Sequence, residues 1–361
     1  MTALQDRAAW TGATLDYRTD GLHTLSAAEV EEIDAALAHL HGLGDLDFPA
    51  ITAASFPLPT LGGFFRALRD ELRFGRGFVL LRGIPRARYS TDDMARIYFG
   101  LGAHIGAPLP QSWQGELLGH VIDVSDIEPG ARGYHAGGAQ RFHTDSCDVV
   151  SLMCLQGAKS GGASRICSAI ALHRRLERER PDLLQTLYDG YVFRRREVDA
   201  EHGDGILVRP VSIFARIGDE VSVYLSGDYP NRAVAAGDAV MTTLQREALD
   251  EVQRIAASPE TYLDMSIGEG DIQFLNNRLL LHGRTGYEDH PAVDRRRHLL
   301  RLWLRVPGWP AQPEGQAMHT AEDHPLWLRQ RTPFMEVPSR YVAEITARQA
   351  ALAPRQTAPA N

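Results

Sequence analysis

Gly77-Phe78-Val79-Leu80-Leu81-Arg82-Gly83 is where the period of the chain changes. Before it, apolar residues recur at helical spacing. Ser26 and Glu29 stand as a capping box, and Val30, Ile33, Leu37 and Leu40 follow until Gly42. A second helical stretch runs from Leu61 to Leu72. The run 77–83 is short, apolar and closed by glycine, the pattern of a buried strand.

Beyond it, Ser90 to Leu101 reads as a helix, with Thr91, Asp92 and Asp93 suited to its positive end. A Gly/Ala-rich loop over 126–142 delivers the chain to Phe142-His143-Thr144-Asp145. Val149–Leu155 is a strand. Ser168–Arg180 and Asp182–Tyr188 are helical, split by Pro181. Short strands are expected at Tyr191–Arg195, Gly205–Val208 and Val221–Leu225, and a helix at Thr243–Ala257. Asp271–Leu275, Leu279–His282 and His298–Val306 close the pattern as strands.

No repeat and no linker separates two cores. The pattern fits a mainly β protein with helices (α+β), one β-sandwich or jelly-roll core braced by helices. The expected division is a helical extension over 1–75, a single core over 76–345 with a lid near 199–232, and a frayed tail over 346–361. A doubly wound parallel sheet is the weaker alternative, because no G-x-G-x-x-G follows a strand.

Composition narrows the partners. The 361 residues carry 38 basic and 46 acidic side chains, a formal charge of -8. The one dense basic run, Arg295-Arg296-Arg297, sits inside an apolar strand pattern. Nucleic acid and anionic membranes are therefore not expected as partners, and no apolar stretch suggests a span or a signal segment. The expected partner is a small molecule, and a homo-oligomer is left open. Cys147, Cys154 and Cys167 make an odd count in no metal-binding spacing, which suits a reducing cytoplasm.

On an extended backbone, His143 and Asp145 project to one face while Thr144 points away. His282 ends an apolar strand just before Gly283. Together these three residues give two imidazoles and one carboxylate, the facial set that leaves open positions on iron(II). Zinc hydrolases use similar sets, so the ligands alone leave the metal open. Arg297 falls 15 residues after His282, and it and Arg301 share a face of the next strand. A guanidinium so placed can pair bidentately with a dicarboxylate that chelates the metal at its other end. A surface cluster balanced by Asp289 and Asp294 would account for Arg295 or Arg296. It accounts less well for Arg297 and Arg301, because Leu299, Leu300, Leu302 and Leu304 mark the strand as buried.

With these pieces in order, the sequence resembles the taurine dioxygenase/TfdA-like group, which includes clavaminate-synthase-like enzymes. The resemblance spans roughly Gly75 to Pro307. Besides the run 77–83 and the motifs at 142–145 and 297–301, it rests on Gly161-Gly162-Ala163-Ser164, Gly270-Asp271-Ile272 and Asn277-Arg278 through His282-Gly283-Arg284-Thr285. It implies a double-stranded β-helix that takes Fe(II), 2-oxoglutarate and O2. It implies His143, Asp145 and His282 as catalytic metal ligands, and Arg297 as the residue holding the distal carboxylate of 2-oxoglutarate. Ser164 is similar in place to a co-substrate-binding threonine, and Arg301 to a second arginine that reaches substrate or co-substrate. Related halogenases carry a small residue where Asp145 stands, so hydroxylation with release of succinate and CO2 is expected rather than halogenation.

Gln111, Tyr134, Gln140, Arg141 and Arg284 lie in segments expected to rim the site, and the arginines hint at an amino acid or other carboxylate as substrate. Two rivals remain at this point: a zinc or manganese hydrolase on the same triad, and a non-catalytic jelly-roll binding protein.

Overall fold

Gly77 and Gly83 adopt φ of +84° and +108°, left-handed backbone that favours glycine, and they bracket the strand Phe78–Arg82 as its sequence predicts. The computed structural model describes residues 5–128, 133–194, 208–226, 228–316 and 323–352. Residues 199–207 and 227 of the expected lid, and most of the expected strand at Gly205–Val208, fall outside these residues.

In chain order the helices are α1 (Tyr17–Asp20), α2 (Ala27–Gly42), α3 (Leu61–Phe74), α4 (Thr91–Ala103), α5 (Ala169–Glu179), α6 (Pro181–Asp189), α7 (Tyr229–Ala235), α8 (Thr243–Ala256), α9 (Asp323–Leu328) and α10 (Pro338–Leu352). The strands of the N-terminal half are β1 (Leu22–Thr24), β2 (Phe78–Arg82), β3 (Ala107–Pro108), β4 (Gly119–Val121), β5 (Gln140–His143), β6 (Val149–Gln156), β7 (Ser160–Gly161) and β8 (Ser164–Ser168). Those that follow are β9 (Tyr191–Arg194), β10 (Val208–Val211), β11 (Phe214–Ile217), β12 (Glu220–Val223), β13 (Tyr262–Met265), β14 (Ile272–Asn276), β15 (Leu280–Arg284), β16 (Tyr287–Glu288) and β17 (His298–Arg305).

The larger sheet runs β1-β2-β14-β6-β17-β3, with β4 also on β17. The smaller runs β13-β8-β15-β5. Among the described residues only β1 and β2 pair in parallel, so a doubly wound parallel sheet is ruled out. The architecture is a mixed α/β one.

Period-two alternation sorts the large sheet's two faces. Val79, Leu81, Met153, Ile272, Phe274, Leu300, Leu302 and Leu304 form one apolar core with residues of α2, α3 and α4. Phe78, Leu80, Val150, Leu275 and Trp303 join the other core, which includes Ile166, Leu280 and Leu281 of the small sheet. The β6–β17 register slips between His298 and Leu299, where Leu155 is the extra residue. The surplus sits on β6, so β17 keeps its own alternation and Arg301 and Trp303 share the inward face.

Several elements differ from expectation. Residues 1–75 are not wholly helical, because β1 joins the large sheet beside β2. This segment is locked to the rest: Gln5 donates to the Val221 carbonyl at 2.8 Å and Trp10 Nε1 to the Arg76 carbonyl at 2.8 Å. The chain stays helical past Gln349, to Leu352. Tyr341 and Ile345 are buried, and Arg348 pairs with both Glu344 and Glu128, which holds the last turns of α10 in place. The three cysteines are buried free thiols. Among the described residues, no helix is long and apolar enough to cross a membrane.

Candidate metal centre

His143 ends β5 and stands directly across from His282 of β15 in the antiparallel register. Their ring centroids are 4.3 Å apart. Asp145 lies just beyond β5, and one ligand atom from each of the three residues falls within 4.8 Å of the others. The backbone holds this arrangement. Thr144 points away, its N–H donating to Leu225 O at 2.7 Å and its hydroxyl accepting from Leu225 N–H at 2.9 Å. Asn277 accepts from the Asp145 N–H at 3.1 Å and donates to the Asp145 and Cys147 carbonyls. Arg278 pairs with Asp148, whose carboxylate also accepts from Val306 N–H at 2.9 Å.

The imidazoles are oriented for Nε2 ligation. Nδ1 of His143 bonds to the Arg141 carbonyl at 2.9 Å, which fixes its proton there. Nε2 of His282 lies 3.8 Å from Asp145 Oδ2. Burial, reinforced by His143, pushes the His282 pKa down to about 3, so the ring is neutral and free to ligate. Burial alone would raise the Asp145 pKa. The positive guanidinium of Arg301 and the neighbouring imidazoles outweigh it and hold the group below its ordinary value, with help from the Trp303 indole N–H at 2.9 Å.

Arg301 touches this centre, whereas Arg297 lies against Gly162 and Tyr287. Nη1 of Arg301 sits 3.4 Å from Asp145 Oδ2, and its Nε donates to Gln111 Oε1 at 2.7 Å. Its guanidinium carbon lies 4.4 Å from the Tyr134 ring centroid and 5.0 Å from that of Trp303. Arg297 precedes β17. It is buried, donates through Nη2 to the Gly162 carbonyl at 3.3 Å and leaves Nη1 without a well-formed hydrogen bond. Burial lowers its pKa from the usual guanidinium value.

Ser164 is buried on β8, opposite Arg284 of β15, and its hydroxyl donates to Gln273 Oε1 at 3.0 Å. Of the residues expected at the rim, Gln111 and Tyr134 touch Arg301. Gln140 pairs with Arg284 across the strands. Arg141 is exposed and contributes its carbonyl to His143. Arg284 is buried and donates to the Ala136 and Gly138 carbonyls, both at 2.6 Å. Trp303 and Tyr287 escaped the sequence reading. Trp303 was within its reach, since it lies two residues after Arg301 on a period-two strand.

The model of the family described as "Taurine catabolism dioxygenase TauD, TfdA family" matches residues 39–303. The chain belongs to the TauD/TfdA family. It is 31% identical over 360 residues to the taurine hydroxylase-like protein SAT17 of Stachybotrys chartarum, covering 92% of this chain and 90% of that protein. It is 27% identical to the FR-33289 synthase of Streptomyces rubellomurinus, covering 83% and 89%. An asparagine oxygenase solved with Fe(II), hydroxyasparagine and succinate superposes with a TM-score of 0.62 at 18% identity, over 79% of this chain and 93% of that one. The non-haem iron oxygenase OrfP, solved with Fe and alpha-ketoglutaric acid, gives 0.58 at 14% identity, over 80% and 94%. As a TauD/TfdA protein, the chain is an Fe(II)/2-oxoglutarate-dependent non-haem iron oxygenase, and the hydrolase and binding-protein readings fall away. The donor set fits that cofactor pair. Two imidazoles and a carboxylate suit iron(II), and a buried guanidinium whose Nη1 makes no well-formed hydrogen bond suits the free end of a dicarboxylate.

Proposed function

We propose that this oxygenase hydroxylates a small acidic metabolite, with His143, Asp145 and His282 as the iron ligands and Arg297 as the anchor of the distal carboxylate of 2-oxoglutarate. One observation carries the reading: three donor groups remote in sequence, two on facing strands and the third just past the end of one, lie within 4.8 Å of one another, and buried Arg297 leaves Nη1 without a well-formed hydrogen bond. A buried donor left unpaired costs about 1–3 kcal/mol, which a carboxylate arriving at Arg297 relieves. When bound, iron(II) and 2-oxoglutarate supply oxidative decarboxylation of the co-substrate by O2, giving succinate, CO2 and an oxidant that hydroxylates substrate.

The protein's own part is positional. His143 and His282 present Nε2. Trp303 and Arg301 balance the Asp145 carboxylate, and Asn277 fixes the turn that carries it. Ser164 is read as bordering the co-substrate end of the site, where its one hydroxyl proton rests on Gln273 Oε1. The two inward faces that enclose the centre, one from each sheet, are read as the two halves of a double-stranded β-helix. Residues 76–345 are read as the single oxygenase unit.

The substrate class rests on Arg301, whose guanidinium faces the centre beside Asp145, and on the names of relatives. Those include a uridine-5'-phosphate dioxygenase and an asparagine oxygenase, and both of these named compounds carry an anionic group. Incubation of the iron-loaded enzyme with a panel of small amino, sulfonic and phosphoric acids, scored by succinate release, tests the reading. The expected result is substrate-stimulated succinate in the native protein and none in His143→Ala or Asp145→Ala. Succinate at the native rate from either variant overturns the ligand assignment.

A further inference from the structure

The co-substrate end of the site holds more donors than Arg297 alone supplies. Tyr287 of β16 pairs with Gly161 across a short two-strand ladder, next to Gly162, whose carbonyl binds Arg297. The ring is half-buried, but its hydroxyl is enclosed and has no well-formed hydrogen bond. Two buried guanidinium groups flank it, Arg284 at 4.8 Å and Arg297 at 5.1 Å from the ring centroid. Among the described residues neither arginine has a carboxylate at ion-pair distance. Nε and Nη1 of Arg284 are enclosed without partners, Nη1 of Arg297 makes no well-formed hydrogen bond, and the Tyr287 hydroxyl itself is within reach of the Arg297 guanidinium. A cluster of enclosed donors around two uncompensated cations is a site built for an anion. Meanwhile the one proton of Ser164 is spent on Gln273, so that hydroxyl is not the donor a carboxylate needs.

We propose that the Tyr287 hydroxyl is the second donor to the distal carboxylate of 2-oxoglutarate, alongside Arg297, and that Arg284 is a positioning residue that holds the Tyr287 ring in place. The proposal rests on the co-substrate assignment above. Burial raises the Tyr287 pKa above the usual phenol value despite both arginines, so the hydroxyl keeps its proton to donate. Arg284 also grips the Ala136 and Gly138 carbonyls. The ring is thus tied to the segment that leads into β5 and His143.

The test is anaerobic equilibrium titration of the iron(II)-loaded enzyme with 2-oxoglutarate and, separately, with 2-oxobutyrate, which lacks the distal carboxylate. Tyr287→Phe keeps the ring and removes only the hydroxyl. It is expected to weaken 2-oxoglutarate about tenfold, the worth of a hydrogen bond to a charged group, and to leave 2-oxobutyrate unchanged. Ser164→Ala is expected to weaken 2-oxoglutarate less than Tyr287→Phe does. Arg284→Gln is expected to weaken 2-oxoglutarate as well, with little further loss on adding Tyr287→Phe, because the two act through one contact. Unchanged 2-oxoglutarate affinity in Tyr287→Phe, or equal losses for both ligands, overturns the proposal. Arg297→Ala separates the two levels. If it binds 2-oxoglutarate normally, the co-substrate assignment itself fails. If it alone loses affinity while Tyr287→Phe does not, only the role of Tyr287 fails.

Discussion

A carboxylate buried between two imidazoles needs its charge balanced, and Asp145 finds that balance on Arg301 and on the Trp303 indole. Groups that hold a ligand in place without touching the metal commonly contribute about 10–100-fold in metal affinity. Trp303→Phe keeps the ring's bulk and removes the N–H. It is expected to weaken iron(II) binding about tenfold, measured by anaerobic metal titration against a competing chelator; native affinity in that variant would mean the indole is only packing. Asn277→Ala frees the turn at 145–147 from its side-chain clamp and should lower iron(II) affinity by a similar factor, with the His282 side of the site unaltered. Both effects concern side chains whose contacts cross from one strand to another. That explains what the sequence revealed at this scale. The convergence of His143, Asp145 and His282 was legible because few residue types suit such a pattern. The partners of Asp145 were not, because an indole two residues beyond an arginine has no spacing of its own to mark it.

At the level of elements, the readable ones were those with their own punctuation. β2 sits between two glycines of positive φ, α2 opens on a complete Ser26–Glu29 capping box, and α5 and α6 divide at Pro181. The strands that were missed are short and polar. β8 reads Ser-Arg-Ile-Cys-Ser and becomes a strand because β13 and β15 flank it. β1 is three residues long and exists because β2 offers it an edge. Such elements owe their form to tertiary context rather than to propensity. Two consequences follow at this scale. Ser26→Ala removes the hydroxyl half of the capping box, leaving the backbone N–H of residue 26 on Glu29, and should lower stability by about 1 kcal/mol, read as a shift of the urea midpoint with no change in slope. The turn between β7 and β8 is more demanding. Gly162 has φ +73°, and a Cβ there would come 2.9 Å from Arg297 Nε and 3.2 Å from its Cδ. Gly162→Ala should therefore displace the guanidinium and raise the KM for 2-oxoglutarate severalfold while iron affinity holds. A variant with an unchanged KM would show that Arg297 can move aside freely.

Over the whole molecule, the buried histidines set how the fold responds to acid. His173 bonds the Tyr188 hydroxyl at 2.8 Å, against Phe214. His120 and His298 share a 2.8 Å hydrogen bond under the ring of Tyr341. Burial pushes His173 down to about 4 and His298 down to about 3, and burial together with His298 takes His120 well below its usual value. A ring whose folded pKa is depressed costs nothing while the unfolded chain is also neutral, above about 6.5. As pH falls below that value the unfolded state takes up protons the folded state refuses, and stability declines until the folded pKa is reached. The depressed carboxylates, such as Asp47 beside Arg331 and Asp126 beside Arg296, act only lower, below their ordinary range near 3.8. Between about 6.5 and 4.5 the depressed histidines lower stability, opposed in part by Glu336, whose carboxyl is raised above its ordinary value by burial. Each ring should remove about 1.4 kcal/mol by pH 5.5. Because His173 lies against the α5–α6 layer and the other pair under α10, the loss should appear in global unfolding and not in one frayed element. Urea unfolding of chelator-treated protein at pH 7.5 and 5.5 should show a clearly lower midpoint at the acidic value, with coincident transitions by fluorescence and circular dichroism. A midpoint that stays level between those two values would mean that these rings accept protons in the folded state, and that the burial described for them is not what governs their charge.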